Sequence, residues 1–495
     1  MKSEEILFDY NRNPFEKHPV LEFEMKLPQK TSREIKNSLM GLGFETLDRE
    51  TFNPKDFYDL VGESGIQSVR CQTGWIRCER VRGEYDFSWL DDVVDSLSQR
   101  GVQTWFSLGY GNPLYTPVST YEEIRRESGG KILSGRVRGY VGEVPLYHGE
   151  EAMRGFLNYV RALAGHFKDR VTEWEIWNEP DVLGHFWNYQ GSVPYPELSA
   201  SERLRRCAAD YVLFFRETGR AIRSVIPSAR LAACAANPAS EYIRFCAESG
   251  LSDLADIFCY HLYGNQENYT GRRVRFAKAC LGPKLEYWQG ESGFPTGKST
   301  LHTLPTEYNQ AKFVARRAMI DLQCGAKRSS IFTVTDFQNY YPDGSNQYYG
   351  IIHGATREPK LSYHVLKAMA FLTENAVPAE DLLIRFTPTH GSALTPVRPY
   401  DLETVTFRKN GVPATALWQP ENVAISFQPL TGEIQFLTGR TSPLPDPVLI
   451  DPLRGNVYRI LNAECPVWAR GAMVLPPIPI PDYPVLITDL RAITV

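Results

Sequence analysis

The segment FLNYVRALAGHF (156–167) followed by VTEWEIWNEPD (171–181) shows the unit that repeats along this chain. The first part has the apolar spacing of an amphipathic helix, and the second begins as a buried strand that Pro180 ends. Strand-like and helix-like stretches alternate in this way from about residue 40 to 372. The eight strand candidates end near Thr46, Arg70, Leu108, Trp177, Ala235, Tyr260, Gln289 and Thr335.

Eight strands that alternate with helices imply a parallel sheet, and a closed sheet of this kind is a (β/α)8 barrel. The predicted fold class is therefore α/β, a TIM barrel with an accessory antiparallel β-sandwich domain. A doubly wound open sheet is the alternative, although no glycine-rich phosphate turn follows the first strand candidate. Long connections at 109–150, 180–203 and 336–359 would lie at the C-terminal face, where barrel enzymes build their sites.

A second domain is indicated after about residue 374, where the helical pattern stops. Short β-like stretches such as LETVTFRK (402–409) and VAISFQP (423–429) follow, separated by Pro, Gly, Asn and Asp, which is typical of an antiparallel sandwich. The segment VLEFEMKL (20–27) is a further strand candidate with no place in the barrel. We predict that residues 1–38 contribute a strand to the sandwich, that 39–373 form the barrel and that 374–495 form the rest of the sandwich.

Composition narrows the classes of partner. The 495-residue chain is 43% hydrophobic and 23% charged, has a formal net charge of −4 and contains no long run of Lys and Arg. We therefore expect neither nucleic acid nor a membrane as a partner. The N-terminal residues lack the apolar core of a secretory signal, so a cytoplasmic location is expected. Nine cysteines, an odd number without CxxC spacing, favour free thiols over a disulfide framework.

Two glutamates stand at the ends of strand candidates on opposite sides of the predicted barrel. Glu179 lies in WNEP at the end of the fourth strand, and Glu291 lies in the turn GES at the end of the seventh. Strand alternation would place Asn178 and Glu179 on opposite faces, but the irregular strand end at Pro180 could bring both into the cleft. Apolar neighbours would raise the carboxyl pKa of Glu179, as a general acid requires.

The distance between these two carboxyl groups would decide the chemistry. Carboxyls about 5–5.5 Å apart act by double displacement through a glycosyl-enzyme intermediate, whereas about 6.5–9.5 Å leaves room for a water molecule and gives inversion. The sequence leaves this choice open. Glu179 could instead be a carboxylate stabilised at a helix N-terminus, and Glu291 a structural turn residue. Glu173, Glu175 and Glu286 are competitors inside strands, where a buried carboxylate needs a cationic partner.

The order WNEP and then GES resembles the retaining glycoside hydrolases of clan A. Three further segments, within roughly residues 40 to 370, resemble glycoside hydrolase family 39 more specifically. They are GLGFETLDR (41–49), VRCQTGWIRCERVRGEYDFSWLDDVVDSL (69–97) and YHLYG (260–264). The VRCQTGW region departs from the well-known xylosidases of that family, so the resemblance does not define the substrate.

The resemblance implies roles for individual residues. Glu179 would be the general acid/base, Glu291 the nucleophile, and Asn178 a ligand of the sugar 2-hydroxyl beside the scissile bond. Members of the clan commonly have an arginine at the position of Arg70, which ends the second strand candidate. Arg70 would hold the nucleophile ionised, or it would form a plain salt bridge with a neighbouring glutamate.

Four other residues are candidates for binding the substrate. His261 and Tyr263 follow the sixth strand and could donate hydrogen bonds to Glu291 or to a sugar hydroxyl, although a lone histidine in a strand is usually a core residue. Trp75 and Trp187 lie in expected rim loops. They could stack on sugar rings or pack in the core.

The last candidate is Asp336, which begins the long loop after the eighth strand and could bind two sugar hydroxyls or cap that turn. No metal site and no cofactor are predicted. The histidines His185, His261 and His353 lack HxH or HExxH spacing, and the sequence has no GxGxxG, P-loop or GxSxG motif.

The residues together predict a retaining glycosidase that acts on a glycoside or oligosaccharide. Exo action is expected because the long loops would close one end of the groove. Relatives of this two-domain design are often multimeric, so the chain could also form a homo-oligomer. The alternatives are a carbohydrate-binding protein without turnover and a different barrel enzyme, such as an aldolase or isomerase, which would need a catalytic Lys or a metal.

Overall fold

The computed structural model describes residues 13–117, 142–263, 267–297, 305–341, 344–388, 402–420, 430–437, 444–464 and 472–494. Its first strand, β1 (Leu21–Lys26), lies outside the barrel. Eight parallel strands then close on themselves in chain order, which confirms the predicted (β/α)8 fold. They are β2 (Met40–Gly43), β3 (Ser68–Gln72), β4 (Gln103–Leu108), β5 (Glu173–Ile176), β6 (Arg230–Ala235), β7 (Ile257–Tyr260), β8 (Glu286–Ser292) and β9 (Ser329–Ile331).

Three strand ends differ from the prediction by three residues or more. β2 ends at Gly43 rather than near Thr46, β8 ends at Ser292 rather than near Gln289, and β9 ends at Ile331 rather than near Thr335. Thr46 has a φ of 68° and precedes a short 3-10 turn, so the extended backbone cannot continue to it. The order of the eight strands is unaffected.

Helices follow the barrel strands and form the outer layer. They are α1 (Tyr58–Glu63), α2 (Trp75–Cys78), α3 (Ser88–Ser98), α4 (Glu150–Phe167), α5 (Ala200–Arg223), α6 (Glu241–Glu248), α7 (Glu267–Leu281), α8 (Glu307–Gln323) and α9 (Leu361–Leu372). A further short helix, α10 (Arg491–Thr494), lies outside the barrel. The helical pattern at 156–167 lies within α4, which begins earlier, at Glu150. α5 begins at Ala200, where Ser199 and Glu202 form a capping box.

The second domain consists of two antiparallel sheets, as predicted. Its strands are β10 (Ala376–Pro378), β11 (Leu383–Pro388), β12 (Glu403–Lys409), β13 (Val412–Trp418), β14 (Leu430–Leu437), β15 (Pro447–Asp451), β16 (Asn456–Ile460), β17 (Ala472–Ile480) and β18 (Val485–Asp489). The larger sheet has the order β1-β16-β15-β18-β13-β12-β10, and the smaller has the order β11-β14-β17. β1 pairs with β16, so a strand that precedes the barrel in sequence belongs to this domain. The stretch VAISFQP lies outside the described residues.

The two domains are joined by buried charges on α8. Lys312 Nζ lies 2.8 Å from Asp482 Oδ2, and Arg316 Nε donates to the Asp482 carbonyl at 2.6 Å. All three side chains are buried. Removing one partner would leave an uncompensated charge in the interior, so this contact fixes the sandwich against the barrel.

Each of the eight cysteines in the described ranges is a free thiol, and six of them are buried. This agrees with the expectation of free thiols over a disulfide framework. Within those same ranges, no helix combines the length and the apolar character needed to cross a membrane.

Candidate active site

The strand that precedes Glu179 ends in an irregular turn. Trp177 and Glu179 follow β5 with left-handed backbone conformations, at φ 69° and 44°. Few residues other than glycine adopt this region, and a structure keeps them there only when surrounding contacts require it. The alternation of a regular strand is broken, so neighbouring side chains can both reach the barrel mouth. Asn178 accepts a hydrogen bond from Arg70 at 2.6 Å, and Glu179 contacts His261 at 2.8 Å.

Glu179 lies in an environment that favours its protonated form. Burial raises the pKa of its carboxyl to about 7, a rise that Arg70 opposes and Glu175 reinforces. Burial also lowers the pKa of His261, so its ring is neutral near pH 7. The thiol of Cys234 lies 3.4 Å from His261 Nε2, and burial raises the pKa of that thiol so that it keeps its proton. A thiol that donates to Nε2 leaves Nδ1–H to face Glu179.

Glu291 accepts hydrogen bonds at both of its carboxyl oxygens. It is the penultimate residue of β8, where Oε2 accepts from Arg70 Nη1 at 3.0 Å and Oε1 accepts from the hydroxyl of Tyr263. Burial raises the pKa of Tyr263 well above its usual range, so the phenol stays a donor. The preceding residue is Gly290, where a Cβ would lie 2.1 Å from Cys259 Sγ. Only glycine fits there, and it lets β8 pack closely against β7.

The two carboxyl groups converge over the barrel. One carboxylate oxygen of Glu179, one of Glu291 and a ring nitrogen of His261 all lie within 4.8 Å of one another. The Glu179 and Glu291 side chains are 12% and 13% exposed, so both lie at the surface of the mouth rather than beneath the strands. This distance agrees with the shorter carboxyl separation, about 5–5.5 Å, that is typical of double displacement rather than inversion.

Arg70 is the cation that organises the carboxylates below the mouth. Its buried guanidinium donates to Glu291 at 3.0 Å, to Glu45 at 3.2 Å and, through Nε, to Glu175 at 3.1 Å. It also binds Asn178. One positive charge therefore serves three acidic side chains and orients the amide beside the general-acid candidate.

Two of these acids respond differently to the shared cation. Burial alone would raise the pKa of Glu175, but Arg70, His261 and Ser107 together outweigh it and lower the pKa below the usual value. Burial raises the pKa of Glu45 to about 8, with Arg70 opposing the rise and Glu291 adding to it. Glu175 was a sequence candidate that needed a cationic partner, and Arg70 is that partner. Glu45 was missed, although it stands two residues after a barrel strand.

The prediction that Trp75 and Trp187 stack on sugars is wrong. Both side chains have no exposed surface. The Trp75 ring stacks on Tyr115 with centroids 5.0 Å apart, and Trp187 donates from its indole nitrogen to the hydroxyl of Tyr147 at 2.8 Å. Each rim segment folds back over the barrel helices, which buries its aromatic ring as core.

Asp336 does not present its carboxylate to the cleft either. It is 3% exposed, and Oδ1 accepts from Lys360 Nζ at 2.8 Å and from the backbone of Gly350 at 3.0 Å. A Cβ on Gly350 would lie 2.0 Å from the Asp336 nitrogen, so the two backbone segments touch. Asp336 therefore caps its loop, which was the alternative to binding a sugar.

Two sets of side chains have the spacing of metal ligands among the described residues. One comprises Glu175, Cys259 and His261, and the other comprises Glu179, His261 and Glu291. Both share the same histidine. The guanidinium of Arg70 contacts Glu175 and Glu291, so a positive charge already occupies the position next to each set. This charge opposes the binding of a second cation.

Comparison with known proteins places these residues in context. The family model described as Beta-galactosidase, glycoside hydrolase family 42, matches residues 44–189. That segment includes Arg70, Asn178 and Glu179 but not Glu291. The resemblance to clan A glycoside hydrolases is confirmed. The chain is 30% identical over 136 residues to the beta-galactosidase BgaA of Clostridium cellulovorans, covering 25% of this chain and 19% of that protein.

A second curated relative gives the same picture. The beta-galactosidase of an Arthrobacter species is 27% identical over 156 residues, covering 29% of this chain and 21% of its own. The chain thus spans about a fifth of the length of these relatives.

Solved structures match over most of the chain. A family 39 glycoside hydrolase from Bacteroides cellulosilyticus has a TM-score of 0.63 at 16% identity, covering 94% of this chain and 83% of its own. A family 30 endoxylanase from Clostridium papyrosolvens has a TM-score of 0.54 at 11% identity, covering 94% and 98%. The likeness to family 39 is one of fold, since identity this low carries no activity.

Proposed function

We propose that this protein is a retaining glycoside hydrolase that acts by double displacement. The observation that carries the proposal is the approach of Glu179 and Glu291, whose nearest carboxylate oxygens lie within 4.8 Å. A gap of this size leaves no room for the water that inversion needs between acid and base. The contrast between the two carboxyl environments supports the same division of roles.

In the first step, Glu179 donates its proton to the departing glycosidic oxygen while Glu291 attacks the anomeric carbon. A pKa of about 7 leaves Glu179 protonated in half or more of the molecules at or below neutral pH. The hydrogen bonds from Arg70 and Tyr263 hold Glu291 in line as a carboxylate. The C–O bond to the leaving group breaks, and a covalent ester forms between Glu291 and the sugar.

In the second step, Glu179 acts as a base. It removes a proton from water, the resulting hydroxide oxygen bonds to the anomeric carbon, and Glu291 leaves as a carboxylate. Two displacements at one carbon restore its original configuration. His261, 2.8 Å from Glu179, keeps the carboxyl in place through both proton transfers.

The substrate part of the proposal is exo action on an oligosaccharide or simple glycoside. Long connections follow β5 at 177–199 and β9 at 332–341 and 344–360 in the described residues, at the strand ends where the two glutamates emerge. They would close one end of the groove. The matched family model and the curated relatives carry the name beta-galactosidase, so a β-galactoside is the first glycone to test.

The proposal is tested with 4-nitrophenyl glycosides of β-galactose, β-xylose, α-arabinose and β-glucuronic acid. We expect hydrolysis of at least one of them. Trapping with the 2-deoxy-2-fluoro form of the active glycone should then label the peptide that contains Glu291, as mass spectrometry of a digest would show. Saturable sugar binding with no turnover across the panel would instead identify a carbohydrate-binding protein and would contradict the proposal.

A further inference from the structure

The pairing of β5 with β6 ends before the C-terminal end of β6, on the side of the barrel where Glu179 follows β5. The hydrogen-bonded register of these strands ends at the pair Glu175 and Ala232, while β6 runs on to Ala235. The backbone N–H groups of β6 beyond that pair therefore have no partner on β5. Buried backbone donors must be satisfied by something else.

Two side chains accept hydrogen bonds from this part of the chain. The hydroxyl of Tyr211, on α5, accepts from the backbone of Cys234 at 3.1 Å and donates to the Ile176 carbonyl at 3.0 Å. Further up, the carboxylate of Asp181 accepts from the backbone N–H of Ala236 at 2.7 Å and from that of Asn237 at 2.9 Å. The segment after β6 is thus attached to the turn that carries Glu179.

The same segment also holds the hydrogen-bond partner of Glu179. The backbone N–H of His261 donates to the Ala235 carbonyl at 3.1 Å. Residues 235–237 therefore contact His261 on one side and Asp181 on the other. Between Asp181 and Glu179 there is only Pro180, whose ring fixes its φ and transmits the position of one neighbour to the other.

We propose that Asp181 is a positioning residue that sets the Glu179 carboxyl against His261 through these two backbone hydrogen bonds. The inference rests on the proposed function, because it concerns the acid catalysis assigned to Glu179. An amide at this position has one acceptor oxygen, so one of the two N–H groups would lose its partner. The turn would then shift while Glu291, which is attached to Arg70 and Tyr263, would stay in place.

The test compares leaving groups in the variant Asp181→Asn. Phenyl β-D-galactopyranoside needs a proton from Glu179 to leave, whereas the 2,4-dinitrophenyl galactoside has a leaving group that departs as an anion. We expect kcat for the phenyl glycoside to fall about 10- to 100-fold, the cost of a misplacement near 1 Å. The attack of Glu291 on the dinitrophenyl glycoside should change by less than about 3-fold, measured as the burst or as kcat/KM. If the wild type accepts only xylosides, the same pair of xylosides is used.

A matched control comes from the other end of β6. Asp256 accepts from the backbone N–H of Leu231 and from Arg223, both at 2.7 Å. Asp256→Asn makes the same chemical change to a carboxylate that holds the same strand, far from the mouth. It should leave the ratio of the two activities unaltered. Asp181→Glu keeps both acceptor oxygens and should restore part of the lost activity on the phenyl glycoside, which also covers the case that Asp181→Asn fails to fold.

The outcomes separate the two proposals. An equal loss on both glycosides in Asp181→Asn, or no loss on either, would overturn the positioning role of Asp181. So would a change in the ratio for Asp256→Asn as large as that for Asp181→Asn. If the wild type hydrolyses neither leaving group with any glycone, the proposed function itself fails, and the variants are not needed to show it.

Discussion

Both ends of the barrel carry glutamates of β5 and β8. The two ends differ in how many arginines accompany these glutamates. At the N-terminal end, Glu173 of β5 and Glu286 of β8 face two arginines. Glu173 lies 3.2 Å from Arg328, and Glu286 lies 3.0 Å from Arg230. Each acid has a cation of its own, and these pairs are ordinary salt bridges.

At the C-terminal end of the barrel there are fewer cationic side chains than carboxyl groups in the cluster around Arg70. Arg70 serves Glu45, Glu175 and Glu291, and Glu179 is left with the neutral ring of His261. The carboxyls cannot all ionise beside one guanidinium, so their proton affinities separate. The number of cations per carboxyl, rather than residue type or strand position, distinguishes the end that carries Glu179 and Glu291 from the opposite end.

The largest expected effect comes from neutralising one acid at each end of β8. Glu291→Gln should lower kcat by about 10⁴-fold or more, since a lost nucleophile disables the catalytic unit as a whole. Glu286→Gln should leave kcat within about 2-fold, because a half-exposed salt bridge contributes little. Steady-state hydrolysis of the best aryl glycoside checks both. Equal losses in the two variants would remove the distinction between the ends.

The corresponding pair on β5 tests acid catalysis. Glu179→Gln should lower kcat for a phenyl glycoside by about 10²- to 10⁴-fold. In the wild type, kcat/KM should fall above a pH of about 7, because the raised pKa keeps Glu179 protonated below that value and its proton is lost above it. Glu173→Gln should keep the wild-type pH profile. If kcat/KM of Glu179→Gln still falls above a pH of about 7, that fall belongs to the titration of a group other than Glu179.

The arginines provide a stability comparison. Arg70→Gln would leave the buried carboxylate of Glu175 without its cation, at a cost of about 3–5 kcal/mol in the free energy of unfolding. Arg230 is 37% exposed, so Arg230→Gln should cost less than about 1 kcal/mol. Urea denaturation followed by tryptophan fluorescence measures both values. A loss for Arg230→Gln as large as for Arg70→Gln would contradict the contrast in charge balance.

The smallest effect concerns Glu45. Its pKa is about 8 in the folded protein against an ordinary value of 4.5, so the stabilising contribution of its protonated form is lost as pH rises through that window. Glu45→Gln removes this dependence. Its melting temperature relative to the wild type should therefore rise between pH 5 and pH 8, by about 2 °C or more. A difference that stays constant over the same range would contradict the raised pKa of Glu45.

The sequence predicted the order of the barrel strands and the two glutamates because both depend on local patterns. Apolar stretches define the strands, WNEP follows at the end of β5, and GES forms the last residues of β8. The charge balance around Arg70 could not be predicted, since its partners Glu45, Glu175, Asn178 and Glu291 come from the ends of three strands that are distant in sequence. Glu45 was missed for that reason.

The prediction that Trp75 and Trp187 stack on sugars is wrong for a related reason. Trp75 and Trp187 occupy the rim segments that the pattern predicts, but their exposure depends on how each segment folds back over the helices. Tyr115 and Tyr147, which contact them, are separated from them by about 40 residues in the chain. The aromatic composition of a loop indicates neither stacking on sugar nor burial in the core.

The most direct test of the account is the configuration of the first product. Proton NMR of a fresh reaction, recorded before the released sugar mutarotates, shows which anomer forms from a β-glycoside. Two carboxyl groups as close as Glu179 and Glu291 predict that the β-anomer appears first. First appearance of the α-anomer would mean a single displacement by water and would contradict the roles assigned to both residues.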